Sequence, residues 1–279
     1  MTSSCSTRPG PDLAHDPDLA AVAPVIRAVR ERAPLVHCIT ATVSMGIVAD
    51  GLLAAGARPM MTETLAEAPV VTTVADALAV NLGTLSTDAM DGIPAAVEVA
   101  VRDGRPWVLD PTAIGLAPVR TPLARELLDS HPEVVRGNAS EVLALVGSGP
   151  GGRGADSVAA PVAAEEAARE VVRRTGGAVA VSGETDLVLD AGRRALVARG
   201  TSQLTRVTGT GCLLGALTAA CCAVEVDPFR AGLAATTWLN VAGEVAAERA
   251  AGPGSFRVEL LDALDAVGAA TDGSGGAVR

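Results

Sequence analysis

The amino-acid sequence predicts an α/β fold, in which a central, mainly parallel β-sheet carries α-helices on both faces. Short apolar runs alternate along the chain with longer Ala-rich stretches whose apolar residues recur at helical spacing. This alternation is typical of parallel sheets. Aromatic residues make up only 1% of the 279 residues, and Tyr is absent. Ala, Val and Leu must therefore fill the core, which favours close packing of helices on a sheet.

Strands are predicted where a short apolar run ends in a polar residue or a turn. In chain order, the main strands are predicted at residues 35–38, 58–61, 77–81, 107–110, 134–136 and 178–182. Further strands are predicted at residues 186–190, 195–198 and 204–208, and the first two of these are compatible with a hairpin.

Helices are predicted where Ala, Leu and Val recur every three or four residues. They cover residues 19–31, 43–55, 94–102, 122–128, 139–145, 163–174, 211–224, 228–247 and 256–266. Pro94, Pro122 and Pro228 are each expected in a first helical turn, because that turn accepts proline.

The chain is predicted to contain one folded domain, at residues 17–270. Residues 1–16 indicate a disordered leader without the apolar run of a signal peptide, and residues 271–279 indicate a flexible tail. The Gly-rich segment 147–154 indicates a mobile surface loop inside the domain, since the alternating pattern continues beyond it.

The basic residues exclude several classes of protein. All 22 of them are Arg. Walker A loops, protein kinases and pyridoxal-phosphate enzymes need a lysine, so these families are excluded in their usual forms. The net charge of −10 argues against a nucleic-acid partner and favours a small metabolite.

Membrane and secretory classes are not favoured either. The longest apolar stretch, residues 212–224, is shorter than the roughly 20 residues of a membrane span. The five cysteines have neither zinc-site spacing nor the even number of a disulfide framework, which fits a reducing cytoplasm.

Polar residues follow five of the apolar runs, and we expect them to share one cleft because ligands of such sheets bind beyond the carboxyl ends of the strands. These segments are residues 81–84, 110–112, 136–138, 182–184 and 208–212.

The most informative segment is the turn Gly209, Thr210, Gly211 and Cys212, which precedes an apolar helix. Two glycines allow a close approach of an anion, and a helix start offers free N–H groups. The same pattern also fits a tight strand-to-helix turn without a ligand. Cys212 lies where the helix dipole lowers a thiol pKa, so it could accept a hydroxyl proton; the alternative is a small buried hydrophobic residue.

Three charged residues in the predicted cleft have two interpretations each. Asp110 could hold hydrated magnesium or simply end a strand. Glu141 follows Asn138 at the spacing of a helix-capping box, so it is either a cap or a site residue. Arg136 could meet nucleotide phosphates or lie on the surface.

Taken together, these segments resemble the hydroxyethylthiazole kinase family of ribokinase-like enzymes. The resemblance is collinear over residues 20–268. The matching motifs are PLVHCIT at 34–40, GLLAAGARPMM at 51–61, NLGTL at 81–85, DP at 110–111, RGNASE at 136–141, GE at 183–184, VTGTGC at 207–212 and GPGSF at 252–256.

The resemblance implies a ribokinase-like fold and ATP-dependent phosphorylation of the alcohol 4-methyl-5-(2-hydroxyethyl)thiazole in thiamine salvage, with magnesium, in a homotrimer whose thiazole sites lie between subunits. It further implies the roles of individual residues: Met61 and Gly209 contact the thiazole, Arg136 and Ser182 contact ATP, Asp110 and Glu141 organise magnesium, and Cys212 lies beside the substrate hydroxyl.

The chain departs from the family pattern near the acceptor. Where the family usually has Asn residues, this sequence has Ala41, Gly46 and Asp50, and Thr112 to Gly115 replace a Val and a Gly-rich turn. Two alternatives follow: a ribokinase-like kinase for another small alcohol, or a regulatory protein that binds nucleotide or thiazole without turnover. A fold alone does not separate these functions.

Overall fold

A computed structural model describes residues 13–147 and 161–272, and within them an eight-stranded sheet forms the centre. The strands are β1 Leu35–Ile39, β2 Arg58–Met60, β3 Ala77–Asn81, β4 Trp107–Asp110, β5 Val134–Asn138, β6 Ala178–Ser182, β7 Asp186–Leu189 and β8 Arg194–Val197. Their order is β2-β1-β3-β4-β5-β6-β7-β8. The first six are parallel, and β7 and β8 add the antiparallel hairpin. The predicted α/β class is therefore confirmed.

Helices cover both faces of this sheet. In chain order they are α1 Pro17–Arg32, α2 Met45–Ala54, α3 Ala68–Val74, α4 Thr87–Arg102, α5 Arg120–Leu127, α6 Ala139–Leu145, α7 Glu165–Thr175, α8 Thr210–Cys222, α9 Pro228–Arg249 and α10 Pro253–Ala270. Helices α1, α2, α8, α9 and α10 pack in one apolar cluster, and α4 to α7 pack in the other.

Successive strand residues alternate between the two clusters. Ala77 and Ala79 of β3 face the cluster that contains α8, whereas Leu78 and Val80 face the opposite one. Because alanine side chains are short, the nearly fully buried helix α8 can lie close to the sheet. This close packing brings the start of α8 to the carboxyl ends of the strands.

The strand predicted at residues 204–208 is wrong. This segment belongs largely to a 3-10 helix, Ser202–Arg206, which runs directly into the turn before α8. The Thr201 Oγ1 accepts the Gln203 N–H at 3.3 Å, and the Thr205 Oγ1 donates to the Ser202 carbonyl at 2.8 Å. Such local side-chain bonds compete with strand pairing.

The predicted position of Pro94 is also wrong, because this residue lies inside α4 and not in its first turn. The helix begins after Ser86, whose Oγ accepts the Ala89 N–H at 3.0 Å. Proline removes one helical hydrogen bond, but the buried face that includes Ile93 and Val97 keeps the helix on the sheet. The sequence interpretation also missed the short helix α3.

The predicted leader boundary needs a correction. Residues Leu13–His15 form a 3-10 helix, and Asp16 caps α1 by accepting the N–H groups of Asp18 and Leu19. Asp16 also pairs with Arg199 at 2.9 Å, so residues 13–16 are ordered. Residues 1–12, 148–160 and 273–279 lie outside the described ranges, and with them most of the predicted leader, loop and tail. No helix within the described ranges is both long and apolar enough to cross a bilayer.

Candidate active site

The carboxyl ends of neighbouring strands place the predicted polar segments side by side. Asn81 at the end of β3 pairs in register with Asp110 at the end of β4, and Asn138 of β5 pairs with Ser182 of β6. The start of α8 lies over the middle of this row, because Cβ atoms built at Gly211 and Gly215 would contact Arg136 and Asp110. The shared cleft expected from the sequence is therefore present.

The turn before α8 leaves three backbone donors free. Helix α8 begins at Thr210, and Gly209 is its N-cap residue. The N–H groups of Thr210, Gly211 and Cys212 have no acceptor within the described part of the chain, whereas the Leu213 N–H bonds to the Gly209 carbonyl at 2.8 Å. These donors lie at the positive end of the helix dipole, so the turn can bind an anion.

Two glycines are required for this shape. Gly209 has a φ of 93°, and a Cβ atom there would lie 2.5 Å from the Ile47 Cγ2. At Gly211, a Cβ atom would lie 2.8 Å from the Arg136 Nη1, so only glycine lets the guanidinium approach the helix start. The Thr210 Oγ1 donates to the Leu204 carbonyl at 2.7 Å and fixes the turn from behind.

Asp110 is held by a chain of hydrogen bonds. Its side chain is only 2% exposed. The Thr112 Oγ1 donates to the Asp110 Oδ1 at 2.7 Å and accepts from the Asn81 Nδ2 at 2.8 Å. Arg136 Nη1 lies 3.3 Å from the Asp110 Oδ2. Thr112, one of the departures from the family pattern, is thus part of the site. The sequence interpretation did not anticipate its hydrogen bond to Asp110.

Glu141 is both a helix cap and a cleft residue. Its Oε2 accepts the Asn138 N–H at 2.8 Å, while the Asn138 Oδ1 accepts the Glu141 N–H at 3.0 Å. The Glu141 Oε1 accepts the N–H of Ala113, whose φ is 61°. Burial raises the pKa of Glu141 to about 7, and the nearby charge of Asp110 acts in the same direction. The capping prediction is confirmed, and the charge of Glu141 depends on pH near neutrality.

The two carboxylates fit a hydrated magnesium ion. Within residues 13–147 and 161–272, no three His, Cys, Asp or Glu side chains are grouped as ligands of one ion. Magnesium commonly keeps several waters and takes one or two carboxylates together with substrate phosphates. Asp110 and Glu141, beside free N–H groups suited to phosphate, match that donor set.

Arg136 is a cleft residue, so the surface alternative is wrong. Its side chain is 11% exposed. Its Nη2 donates to the Ser182 Oγ at 2.9 Å, which joins the two predicted ATP contacts directly. The Arg136 Nε is buried and has no partner in the described structure. A guanidinium with a donor to spare, next to free amides, is suited to phosphate oxygens.

The expectation of a low thiol pKa at Cys212 is wrong. Burial raises the pKa of the half-buried Cys212 thiol, and the charge of Asp110 raises it further. These effects exceed those of Arg136 and of the hydrogen bonds to Ser44 and Asn81, which lower it. The helix start therefore does not make Cys212 a thiolate at neutral pH.

For the phosphoryl transfer that the family resemblance implies, we expect Cys212→Ala to retain measurable activity, with kcat reduced less than about tenfold. General-base catalysis contributes roughly 10²–10⁴-fold where a base acts, and a protonated thiol supplies none. The measurement is kcat between pH 6 and 9, with Cys221→Ala, in the buried part of the same helix, as the control for packing. A loss of about 10³-fold in Cys212→Ala alone would contradict this expectation and would show that the Cys212 thiol contributes to catalysis.

For the magnesium and ATP that the family resemblance implies, we expect binding of magnesium–ADP to strengthen between pH 6 and pH 8, beyond the change that the nucleotide itself causes. Glu141 must lose a proton to face a cation, and its raised pKa of about 7 makes this loss incomplete below neutrality. The raised pKa also affects stability in the free protein. Between about pH 4.5 and pH 7, folded Glu141 holds a proton that the unfolded chain has lost, so the Glu141 contribution to the free energy of unfolding falls as pH rises.

Calorimetric titration of magnesium–ADP into the wild type and into Glu141→Gln measures the pH effect, because the variant shares the titration of the nucleotide. Parallel pH profiles of the two proteins would contradict a titrating Glu141.

The acceptor side of the cleft begins at Met61, which is half-buried just beyond β2. The buried His37 contacts the neighbouring Thr62 carbonyl through its Nε2 at 2.9 Å, and so holds this segment. Among the departures from the family pattern, Ala41 is buried, whereas Gly46 and Asp50 are exposed on α2. Of these three positions, only Ala41 is near the cleft floor, because a Cβ atom at Gly83 would lie 3.0 Å from its side chain and 2.9 Å from the Asn81 Oδ1.

Comparisons with known proteins show the family to which the chain is similar. Residues 26–269 match the model of the hydroxyethylthiazole kinase family. A protein of Kineococcus radiotolerans named hydroxyethylthiazole kinase is 51% identical over 255 residues, which are 91% of this chain and 93% of the relative.

Solved structures extend the similarity to the fold. A structure titled hydroxyethylthiazole kinase, from Pyrococcus horikoshii, is 37% identical with a TM-score of 0.80 and covers 88% of this chain and 92% of its own. A ribokinase-like superfamily protein of Enterococcus faecalis is 12% identical with a TM-score of 0.61, covering 88% of this chain and 94% of its own. The latter likeness concerns the fold alone, and the predicted ribokinase-like fold is confirmed.

Proposed function

The chain belongs to the hydroxyethylthiazole kinase family, and from this premise we propose that it transfers the γ-phosphoryl group of ATP to the hydroxyl group of 4-methyl-5-(2-hydroxyethyl)thiazole. The product is the thiazole phosphate used in thiamine salvage. The alcohol loses its proton as the new P–O bond forms, and ADP leaves with the electrons of the broken bond.

The observation that carries this proposal is the anion-binding turn beside two carboxylates and an arginine. The N–H groups of residues 210–212, which have no acceptor in the described residues, belong to the helix start that lies against Arg136 and Asp110. Asp110 and Arg136 lie under the same helix start. Phosphoryl transfer needs such a set of groups, since its catalysis consists mostly of positioning and charge stabilisation.

The protein groups act at different oxygens of the transferred group. The 210–212 amides would donate to the oxygens whose charge develops in the transition state. Arg136, anchored on Ser182, would hold the donor phosphates through its planar fork. Asp110 and Glu141 would hold magnesium and its waters, and the ion would neutralise phosphate charge. The turn therefore provides its share of charge stabilisation without lysine.

The acceptor would lie between Met61 and the turn. Gly209 has no side chain, so the hydroxyethyl group can reach the phosphate beside Cys212. The protonated thiol of Cys212 can contact the acceptor hydroxyl but cannot take its proton at neutral pH. In this arrangement the proton passes to the transferred phosphate oxygens or to water, and base catalysis is secondary.

An acceptor panel separates this function from its two alternatives. Purified protein with magnesium and ATP is given the thiazole alcohol and other small primary alcohols, and ADP and phosphorylated products are measured by mass spectrometry. The thiazole alcohol should have the highest kcat/KM. A higher value for another alcohol would support a different kinase of the same fold, as the buried Ala41 could permit. Saturable binding without turnover would support a regulatory protein.

We further propose that the chain assembles as a homotrimer with the acceptor sites between subunits. Strand β2 is an edge strand, and apolar side chains are exposed at its last residue and along the segment that follows it through α3: Met60, Leu65, Val70 and Val74. Exposed apolar patches at a sheet edge favour a protein partner. Met61 lies at the same edge, so a neighbouring subunit could close its pocket.

Native mass spectrometry tests this assembly. The wild type should be a trimer, and Val70→Glu with Val74→Glu should give monomers with a raised KM for the thiazole. Val258→Glu, on an exposed apolar site of α10, is the matched control and should stay trimeric. A fully active wild-type monomer would contradict the proposal.

We also propose that the enzyme works in the cytoplasm, which supplies ATP. Cys38, Cys212, Cys221 and Cys222 are free thiols, and a reducing compartment keeps thiols in this state.

A further inference from the structure

Asp186, the first residue of β7, is a buried carboxylate outside the proposed phosphate site. It is 6% exposed. Its Oδ1 accepts the Gly183 N–H at 2.7 Å, and its Oδ2 accepts from the Asn240 Nδ2 of α9 at 2.7 Å. Burial raises the pKa of Asp186. A buried carboxylate is costly unless it is well bonded, so both contacts help to hold its position.

The turn that Asp186 holds is part of the cleft edge. Residues 183–185 connect β6 to β7, directly after Ser182. Gly183 and Glu184 are exposed. Since Ser182 bonds to Arg136, this turn continues the proposed nucleotide side of the cleft. In the strand order, β1, β3, β4 and β5 separate it from β2 and Met61.

The face of helix α9 that carries Asn240 also anchors the segment before the 209–212 turn. Glu244, one helical turn beyond Asn240, accepts the Gly200 N–H at 2.7 Å. A Cβ atom at Gly243 would lie 3.0 Å from a Leu204 side-chain carbon, so that side chain packs on the helix backbone. The Leu204 carbonyl in turn accepts from the Thr210 Oγ1. One helix therefore supports both the 183–185 turn and the 209–212 turn.

We propose that Asp186 and Asn240 are positioning residues that hold the 183–185 turn in place for the ATP molecule. They act through the backbone of that turn and through Ser182, and they do not touch the reacting atoms. This inference rests on the proposed use of ATP, but it does not depend on which alcohol accepts the phosphate. It assigns the pair to donor binding and not to acceptor binding.

The test exchanges the two side chains. In Asn240→Leu, a side chain of similar size has no donor, so the hydrogen bond to Asp186 is lost. In the double variant Asp186→Asn with Asn240→Asp, the hydrogen bond re-forms with its donor and acceptor reversed. Asp190→Asn is the matched control. Asp190 also accepts a turn N–H, that of Gly192 at 2.9 Å, but the turn after β7 lies near the amino ends of the parallel strands, away from the cleft.

Asn240→Leu should weaken ADP binding, measured by calorimetry, and raise the KM for ATP by about tenfold, the equivalent of one hydrogen bond. The KM for the thiazole should change less than about twofold, and the double variant should recover most of the loss. Asp190→Asn should bind ADP like the wild type.

Equal changes in both KM values, or a lower melting temperature with unchanged ADP affinity, would make Asp186 merely structural and overturn the inference. A double variant as weak as the single variant would also overturn it. Wild-type protein that binds ADP but forms no thiazole phosphate would instead contradict the proposed function, while the ADP measurements would still decide the role of Asp186.

Discussion

Gly209→Ala is expected to lower kcat/KM for phosphoryl transfer by at least about 10³-fold. Loss of a single preorganised donor typically costs 10²–10³-fold, and this substitution displaces the turn that presents three. The added Cβ atom would lie 2.5 Å from the Ile47 Cγ2 and 3.1 Å from the Ser44 Oγ, on a backbone with φ of 93°. The turn must therefore shift, and the N–H groups of residues 210–212 shift with it.

Gly176→Ala is the control variant that separates the effect of backbone strain from the effect of displacing the 209–212 turn. Gly176 has a φ of 76° after α7, and among the residues that the structure describes no atom beyond its chain neighbours lies within 4 Å of an added Cβ. Both variants should lose about 1–2 kcal/mol of unfolding free energy through left-handed backbone strain, with a further loss from the clash at Gly209. Only Gly209→Ala should lose activity. Comparable kinetics of the two variants would show that the turn does not carry catalysis.

Asp110→Asn is expected to lower kcat by about 10³-fold or more and to remove the magnesium dependence of ADP binding. The change keeps the shape of the side chain but removes the charge that would hold the cation. It also leaves Arg136, 3.3 Å from the Asp110 Oδ2, without its carboxylate partner. Kinetics and calorimetric ADP titrations with and without magnesium measure these two effects.

Glu133→Gln is the matched control for Asp110→Asn. Glu133 is a half-buried carboxylate between β4 and β5, but it lies at their opposite ends, where its Oε2 accepts the Trp107 N–H at 2.7 Å. Its loss should reduce stability and leave the magnesium response intact. If Asp110→Asn kept a wild-type magnesium response, Asp110 would not be a cation ligand.

The sequence predicted the parts of the site that depend on chain order. Parallel strands end at one edge, so Asn81, Asp110, Arg136 and Ser182 had to meet there once the strands were identified. The turn at residues 209–212 was recognisable because its glycines precede an apolar helix. Those features need only local patterns and the direction of the strands.

Contacts that depend on three-dimensional packing were not predictable in this way. The bond from Thr112 to Asp110 requires the path of a turn in which Ala113 adopts a positive φ. The raised pKa of Cys212 follows from burial by distant segments and from the charge of Asp110, and no local sequence pattern shows either of them. Similarly, Asp186 and Asn240 are separated by 54 residues, and no sequence period joins them.

The most direct test of the central claim follows the transferred group itself. ATP labelled with oxygen-18 on its γ-phosphate is mixed with magnesium, the thiazole alcohol and excess enzyme for one turnover, and the products are analysed by mass spectrometry. The expected result is thiazole phosphate that carries the labelled phosphoryl oxygens, together with one equivalent of ADP. Labelled inorganic phosphate without labelled thiazole phosphate, or unchanged ATP, would contradict phosphoryl transfer to this alcohol.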